Sequence, residues 1–215
     1  SGESQETTVT FLRGSALRIV SELKGSLDVS SSPVLPVKVI NSSDSIINTP
    51  LSYTFVPSWS GNTDSEFTGS FPSSSPVIDW AGIPSGRYRL VLKINDSPAD
   101  SLSEEIIIYR HNDSKMPQGI SDVLWTPAGF GGTLSLDRNG KGSLLLAAAS
   151  APTRCLYVLS DSSRVIERKW LELSEGFNSI QVSVNPDSPA PHLTLFAASG
   201  MKSTLLDYTL NIPHP

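Results

Sequence analysis

The side chains of this 215-residue chain that could do chemistry are few and scattered. Its one cysteine, Cys155, lies in Arg154-Cys155-Leu156-Tyr157-Val158-Leu159. A nucleophilic thiol needs a neighbouring base and a depressed pKa, and no local motif supplies either. The strand-like neighbours read Cys155 as a small buried apolar residue. Three histidines, His111, His192 and His214, stand far apart, with no ligand spacing such as His-Glu-x-x-His. Gly140-Lys141-Gly142-Ser143 departs twice from a phosphate-binding loop: a glycine follows Lys141, and Ser135 stands where the first glycine belongs. Asp137-Arg138-Asn139-Gly140 reads instead as a hairpin turn. No Gly-x-Ser-x-Gly elbow occurs. Glu104-Glu105 alternate across a strand, whereas a glycosidase needs two carboxyls facing one cleft. No catalytic, cofactor-binding or metal residue is assigned, no cofactor is implied, and the expectation is a non-enzyme.

Four tryptophans, Trp59, Trp80, Trp125 and Trp170, keep a binding role open. Aromatic platforms stack on sugars, but a tryptophan in a β-sandwich is more often core or a plug at a domain junction. Trp59, in the polar run Pro57-Ser58-Trp59-Ser60-Gly61, is expected to be the most exposed. Asn41, Asn95 and Asn112 each begin an Asn-x-Ser glycosylation pattern, a short and common one.

The elements that would position these residues are strands. The clearest begins at Ile83-Pro84-Ser85-Gly86, where Pro84 presets φ and Gly86 is free to take positive φ. After it Tyr88, Leu90, Leu92 and Ile94 point one way, and Arg87, Arg89, Val91 and Lys93 the other. Period two with one polar face is a half-buried strand of an antiparallel sheet. Val9 to Arg13 reads as a first strand, and Ala16 to Leu23 fits strand or helix, with strand preferred. A loop over Asn95 to Ser103 then leads to a closing strand over Glu104 to Arg110. The first half shows about seven short strands, with turn signals every 8–12 residues or so. The second half repeats the style, with Ser143 to Ser150 as a central strand.

At 215 residues the chain suits two sandwiches of about 100 residues each. His111 to Gly119 has no periodicity and contains Pro117, so the boundary falls between 110 and 118, dividing the chain into 1–112 and 113–215. The junction contact is expected from strand-end loops, with Trp125 as anchor. A net charge of −5 argues against nucleic acid, which needs clustered Lys and Arg. Charged residues are 17%, against roughly 25% in ordinary chains. A surface of Ser, Thr, Asn and Pro instead points to an extracytoplasmic protein, in the periplasm or at the cell surface. The longest apolar run, Leu144 to Ala149, is too short to span a bilayer. Ser1-Gly2 reads as a cleavage remnant, so a signal peptide or lipoprotein anchor could lie upstream.

Several segments, in order, resemble the macroglobulin-domain region of bacterial alpha-2-macroglobulin-like proteins. They are Pro50-Leu51-Ser52-Tyr53-Thr54-Phe55; Phe67-Thr68-Gly69-Ser70-Phe71 followed by Ile83 to Leu90; Ile107-Ile108-Tyr109 with Pro117 and Trp125; and Ser143 to Ser150 running into Leu156-Tyr157-Val158-Leu159. The resemblance implies an all-β chain of two tandem antiparallel Ig-like sandwiches, macroglobulin-type. It also implies a scaffold role beside neighbouring domains in a protease-trapping protein, whose partners would be proteases. The family's thioester needs Cys-x-Glu-Gln, and Cys155-Leu156-Tyr157-Val158 does not match, so no thioester residue carries over. The alternative expectation is a carbohydrate-binding module of a surface glycan system.

Overall fold

Alternation of apolar and polar residues produces strands over most of the chain. The computed structural model describes residues 17–31, 33–59, 66–95 and 97–213. The strand read at Val9 to Arg13 and the residue His214 lie outside them. Among the described residues the first half has seven strands: β1 (Leu17–Ser21), β2 (Ser26–Asp28), β3 (Val37–Asn41), β4 (Pro50–Pro57), β5 (Phe67–Pro72), β6 (Gly86–Ile94) and β7 (Ser97–Tyr109). The ambiguous stretch after Ala16 is therefore a strand. One sheet has the order β2-β7-β6-β4-β5, and β1 pairs with β3 in the other. β6 sits in the middle of the larger sheet, and its Tyr88, Leu90, Leu92 and Ile94 have no exposed surface.

β7 is longer than its composition implies. It begins at Ser97, so the loop read over Asn95 to Ser103 is mostly ladder. Backbone pairing with β6 needs no apolar side chain, so a polar run is held as strand. The register slips between Lys93, opposite Ser101, and Ile94, opposite Ser97. Between β5 and β6 the chain makes a 3-10 turn, Trp80–Gly82, capped by the Asp79 carboxylate accepting from Ala81 N–H at 3.1 Å. This turn pushes Trp80 into the core, where its indole N–H donates to the Pro33 carbonyl at 2.8 Å. The Tyr88 hydroxyl donates to the Pro84 carbonyl at 2.8 Å, pinning the turn that feeds β6. This is the tyrosine-corner contact of immunoglobulin-type sandwiches.

The second half contains β8 (Leu124–Trp125), β9 (Gly131–Ser135), β10 (Lys141–Ala148), β11 (Thr153–Ser160), β12 (Val165–Leu173), β13 (Gly176–Ser183), β14 (His192–Ser199) and β15 (Lys202–Asn211). Its sheets are β13-β10-β8 and β12-β11-β14-β15-β9. In each half an early strand runs parallel to the last one, β2 beside β7 and β9 beside β15, while the other strand pairs are antiparallel. Both halves are Ig-like sandwiches. One core spans Val29 to Ile108 and the other Val123 to Ile212. A third, smaller cluster, Tyr109, Trp125 and Ala147, lies between them.

Gly86 matters for a different reason from the one its turn position implied. It is not among the residues with positive φ. A Cβ there would lie 2.5 Å from the Trp59 ring, so the missing side chain makes room for that indole. Trp59 is half-buried, 5.1 Å centroid to centroid from Tyr88, and closes the end of the first core. Its neighbour Ser58 is exposed, but the indole itself turns inward. Gly86→Ala is therefore expected to cost about 1–3 kcal/mol of stability through overpacking. In a Trp59→Ala background the same change should cost less. A double-mutant cycle in urea checks this, and strictly additive losses would contradict the contact.

Candidate functional site

The sequence-flagged chemical residues come to rest in unreactive surroundings. Cys155 is fully buried in the second core, and burial pushes its thiol up to about 11. A thiol so placed is neither ionised nor reachable at neutral pH. Lys141 leaves a tight turn that crosses from one sheet to the other rather than the hairpin expected, with Asp137 Oδ1 accepting from the Asn139 and Lys141 N–H groups at 2.8 Å each. Gly140 has φ 72, and a strand rather than a helix follows, so no phosphate cradle forms. Glu104 accepts from Ser21 Oγ at 2.7 Å and Glu105 from Ser58 Oγ at 3.3 Å, from opposite faces of β7. Among the described residues no three His, Cys, Asp or Glu side chains gather as a metal site.

Two histidines make acid pairs that sequence reading missed, because their partners lie 83 and 15 positions away. His111 Nδ1 lies 2.9 Å from Asp28 Oδ2, and the Ser30 hydroxyl donates to Asp28 Oδ1 at 2.6 Å. Serine, histidine and aspartate thus meet, but in the wrong order for nucleophilic catalysis. A triad hydroxyl donates to the imidazole, whereas this one donates to the carboxylate. The cluster fastens the chain after β7 to the end of β2. His192 Nε2 lies 2.7 Å from Asp207 Oδ1, which also accepts from Thr194 Oγ1 at 2.9 Å, on the outer face of the second domain.

That outer face is where the molecule departs from an ordinary wet sheet. Along β11, β14 and β15 the inward residues, among them Tyr157, Leu195 and Tyr208, are buried. The outward residues should then be polar. Instead the register aligns Trp170 of β12, Leu156 of β11, Phe196 of β14 and Leu205 of β15 in one row across four strands. Trp170 and Leu205 are each 57% exposed and Phe196 38%. The Arg154 guanidinium sits 5.8 Å from the Trp170 ring centroid. Ser203 and Ala198 border the row on one side; Arg168, Thr194 and Asp207 border it on the other. The legible signal was apolar residues at the polar phase of an alternating strand, in Leu195-Phe196 and Leu205-Leu206. Trp80 and Trp125 are buried and Trp59 half-buried, so the exposed indole is Trp170 and not Trp59.

No family model matches this chain, and no curated protein matches it. Solved structures similar to it include the native conformation of E. coli alpha-2-macroglobulin, at 13% identity over 91% of this chain, TM-score 0.34. They also include the BSP domain of a biofilm associated protein, at 12% identity over 92% of this chain, TM-score 0.30, and a titin Ig segment at 11% over 92%, TM-score 0.30. The chain spans 15%, 30% and 66% of those three chains respectively. At such identities and scores they say nothing about activity.

Asp28 supplies a pH prediction. Burial pushes its carboxyl up, but hydrogen bonds from the Ser30 hydroxyl and N–H, and the contact with His111, outweigh it and hold the group below its ordinary value. A carboxyl whose folded pKa is depressed adds stability above its unfolded pKa, about 3.9, and loses it as pH falls through the folded value. Asp28→Asn should therefore destabilise the protein at neutral pH, with the gap to wild type closing below about pH 4. Urea unfolding across that range reads the closure, and a gap independent of pH would contradict it. Native Cys155 should also resist a thiol reagent at neutral pH and react only on unfolding.

Proposed function

We propose that the chain is a non-enzymatic spacer of two Ig-like sandwiches, held at one angle within a larger extracytoplasmic protein. The observation that carries this reading is the structured junction. Tyr109, the last residue of β7, meets Trp125 edge-on at 5.4 Å and stacks on Phe177 of β13 at 5.6 Å. Trp125 is 4% exposed and also contacts Phe177. The contact thus comes from side chains on strands of both domains rather than from strand-end loops, because Tyr109 lies on the face of β7 turned away from its own core. Aromatic pairs of this kind are each worth about 0.5–1.5 kcal/mol beyond the area they bury.

The polar linker is also tied on both sides. Arg110 donates through its guanidinium to the carbonyls of Trp80 at 2.6 Å and Ile83 at 3.2 Å. Ser85 Oγ donates to Asp113, which also accepts from the Arg110 N–H at 3.3 Å. The Arg87 N–H donates to the Gln118 carbonyl at 2.9 Å, and the Gln118 N–H to the Ser85 carbonyl at 3.1 Å. From the second domain, Phe177 N–H reaches the Asp113 carbonyl at 3.4 Å, and a Cβ on Gly176 would strike the Asp113-Ser114 backbone. Domains in one chain move freely unless their interface is large and apolar. Here a hydrogen-bonded linker supplements a compact aromatic one.

The finer reading is that the parent is an alpha-2-macroglobulin-like envelope or secreted protein that engages proteases. The ordered segments from Pro50 to Leu159 support it, and so does a scaffold that fixes the angle between neighbouring sandwiches. A carbohydrate-binding role draws on Trp170 and Phe196, but Leu156 and Leu205 in the same row offer sugars no ring to stack on. Tyr109→Ala and Trp125→Ala should broaden the interdomain angle while each sandwich stays folded. Small-angle scattering beside thermal unfolding tests this. An unchanged profile at unchanged stability would remove the junction's role, and global unfolding would show Trp125 to be core. For the parent-protein reading, the test is whether limited proteolysis compacts the full-length protein.

A further inference from the structure

The outer face of β12-β11-β14-β15 is an exposed apolar surface that the spacer role leaves unused. We propose that this face pairs with the same face of a second copy of the chain, joining two spacers side by side through their second domains. Its core would be the row Trp170, Leu156, Phe196 and Leu205. Tryptophan, aromatic and arginine side chains on a flat, well-packed surface are the composition of interface centres.

Size and charge select a second copy. The four strands of the face, about 4.8 Å apart and each about eight to ten residues at roughly 3.4 Å, present on the order of 550 Å² of flat surface. A standard interface takes about 800 Å² of accessible surface per partner and a weak one less than about 600 Å², so a face of this size fits a weak dimer. Sheets that pack face to face keep their strands within about 30° of alignment. Two twofold axes in the interface plane achieve that. An axis along the strands lays Trp170 over Leu205 and Leu156 over Phe196 of the other copy, and sets Arg168 against Asp207. An axis along the row lays each row residue over its own counterpart and sets Arg168 against Glu172. Neither arrangement brings like charges opposite one another within these rows. Arg168 stands one register step from Trp170 on one side of the row and Glu172 on the other side, with Asp207 in line with Thr194. Such self-complementarity is what an isologous interface requires.

Sedimentation equilibrium over about 1–500 μM tests it. The expected weight-average mass climbs from 23.1 kDa toward twice that value with concentration. Phe196→Glu and Leu205→Glu, both at exposed positions, should hold the chain monomeric with unchanged thermal unfolding. Arg168→Asp should weaken association at least about 10-fold. Adding Asp207→Arg restores it if the axis follows the strands, and adding Glu172→Arg restores it if the axis follows the row. A chain monomeric throughout overturns the proposal. So does a dimer that survives Phe196→Glu and Leu205→Glu, or one indifferent to Arg168→Asp. A monomer whose glycan-array signal disappears with Trp170→Ala also overturns it, in favour of a sugar ligand.

Discussion

The organisation of the molecule depends on β7 having two faces. Alternate side chains of a strand must point opposite ways, and at the end of β7 both directions lead into protein. Ile106 and Ile108 complete the core of the first sandwich, while Ile107 and Tyr109 turn outward into the junction cluster. The same strand carries β6 on one edge and β2 on the other. A register slip of one residue would exchange the two faces, exposing Ile106 and Ile108 and removing Tyr109 from Trp125. The first core and the aromatic cluster of Tyr109 and Trp125 are thus tied to one pairing, Gly86 opposite Ile108 through Leu92 opposite Leu102.

The fold was legible because its strands obey a period that sequence displays directly. Tyr88, Leu90, Leu92 and Ile94 were read as one buried face, and they are. Asn139-Gly140 marked a turn, and Gly140 does take positive φ, but the strands on either side, β9 and β10, lie in different sheets, so the turn crosses between sheets instead of closing a hairpin. Errors fell where tertiary contact rather than local pattern decides. Ser97 to Ser103 looks like a loop because its sequence is mostly small and polar, yet its backbone is claimed by β6. Gly86 looks like a turn glycine because nothing nearby in sequence announces Trp59, 27 positions earlier and packed against it.

The candidate surface was less legible, for a related reason. Any one of Trp170, Leu156, Phe196 and Leu205 is unremarkable, since single exposed apolar residues are common. They form a surface only through three independent strand registers, and no register can be read from one strand alone. The two histidine–aspartate pairs were hidden in the same way. Asp28 and His111 come together because β2 lies parallel to the end of β7, and Asp207 meets His192 across the β14–β15 ladder.

The parallel pairing of early and final strands in each sandwich has a mechanical consequence. The chain reaches the early strand of each pair after β1 or β8 and leaves the last strand at the opposite end, so once those preceding strands have come away, tension on the polypeptide pulls the two strands lengthwise past each other. Ser26 to Asp28 against Ile107 to Tyr109, and Gly131 to Ser135 against Asp207 to Asn211, would then be loaded in shear. Hydrogen bonds loaded in shear share the force and must fail together, whereas those of a hairpin peeled from its end fail one at a time. The five-residue patch of the second domain is the longer of the two, so under a steady pull the three-residue patch of the first is the one to slip first.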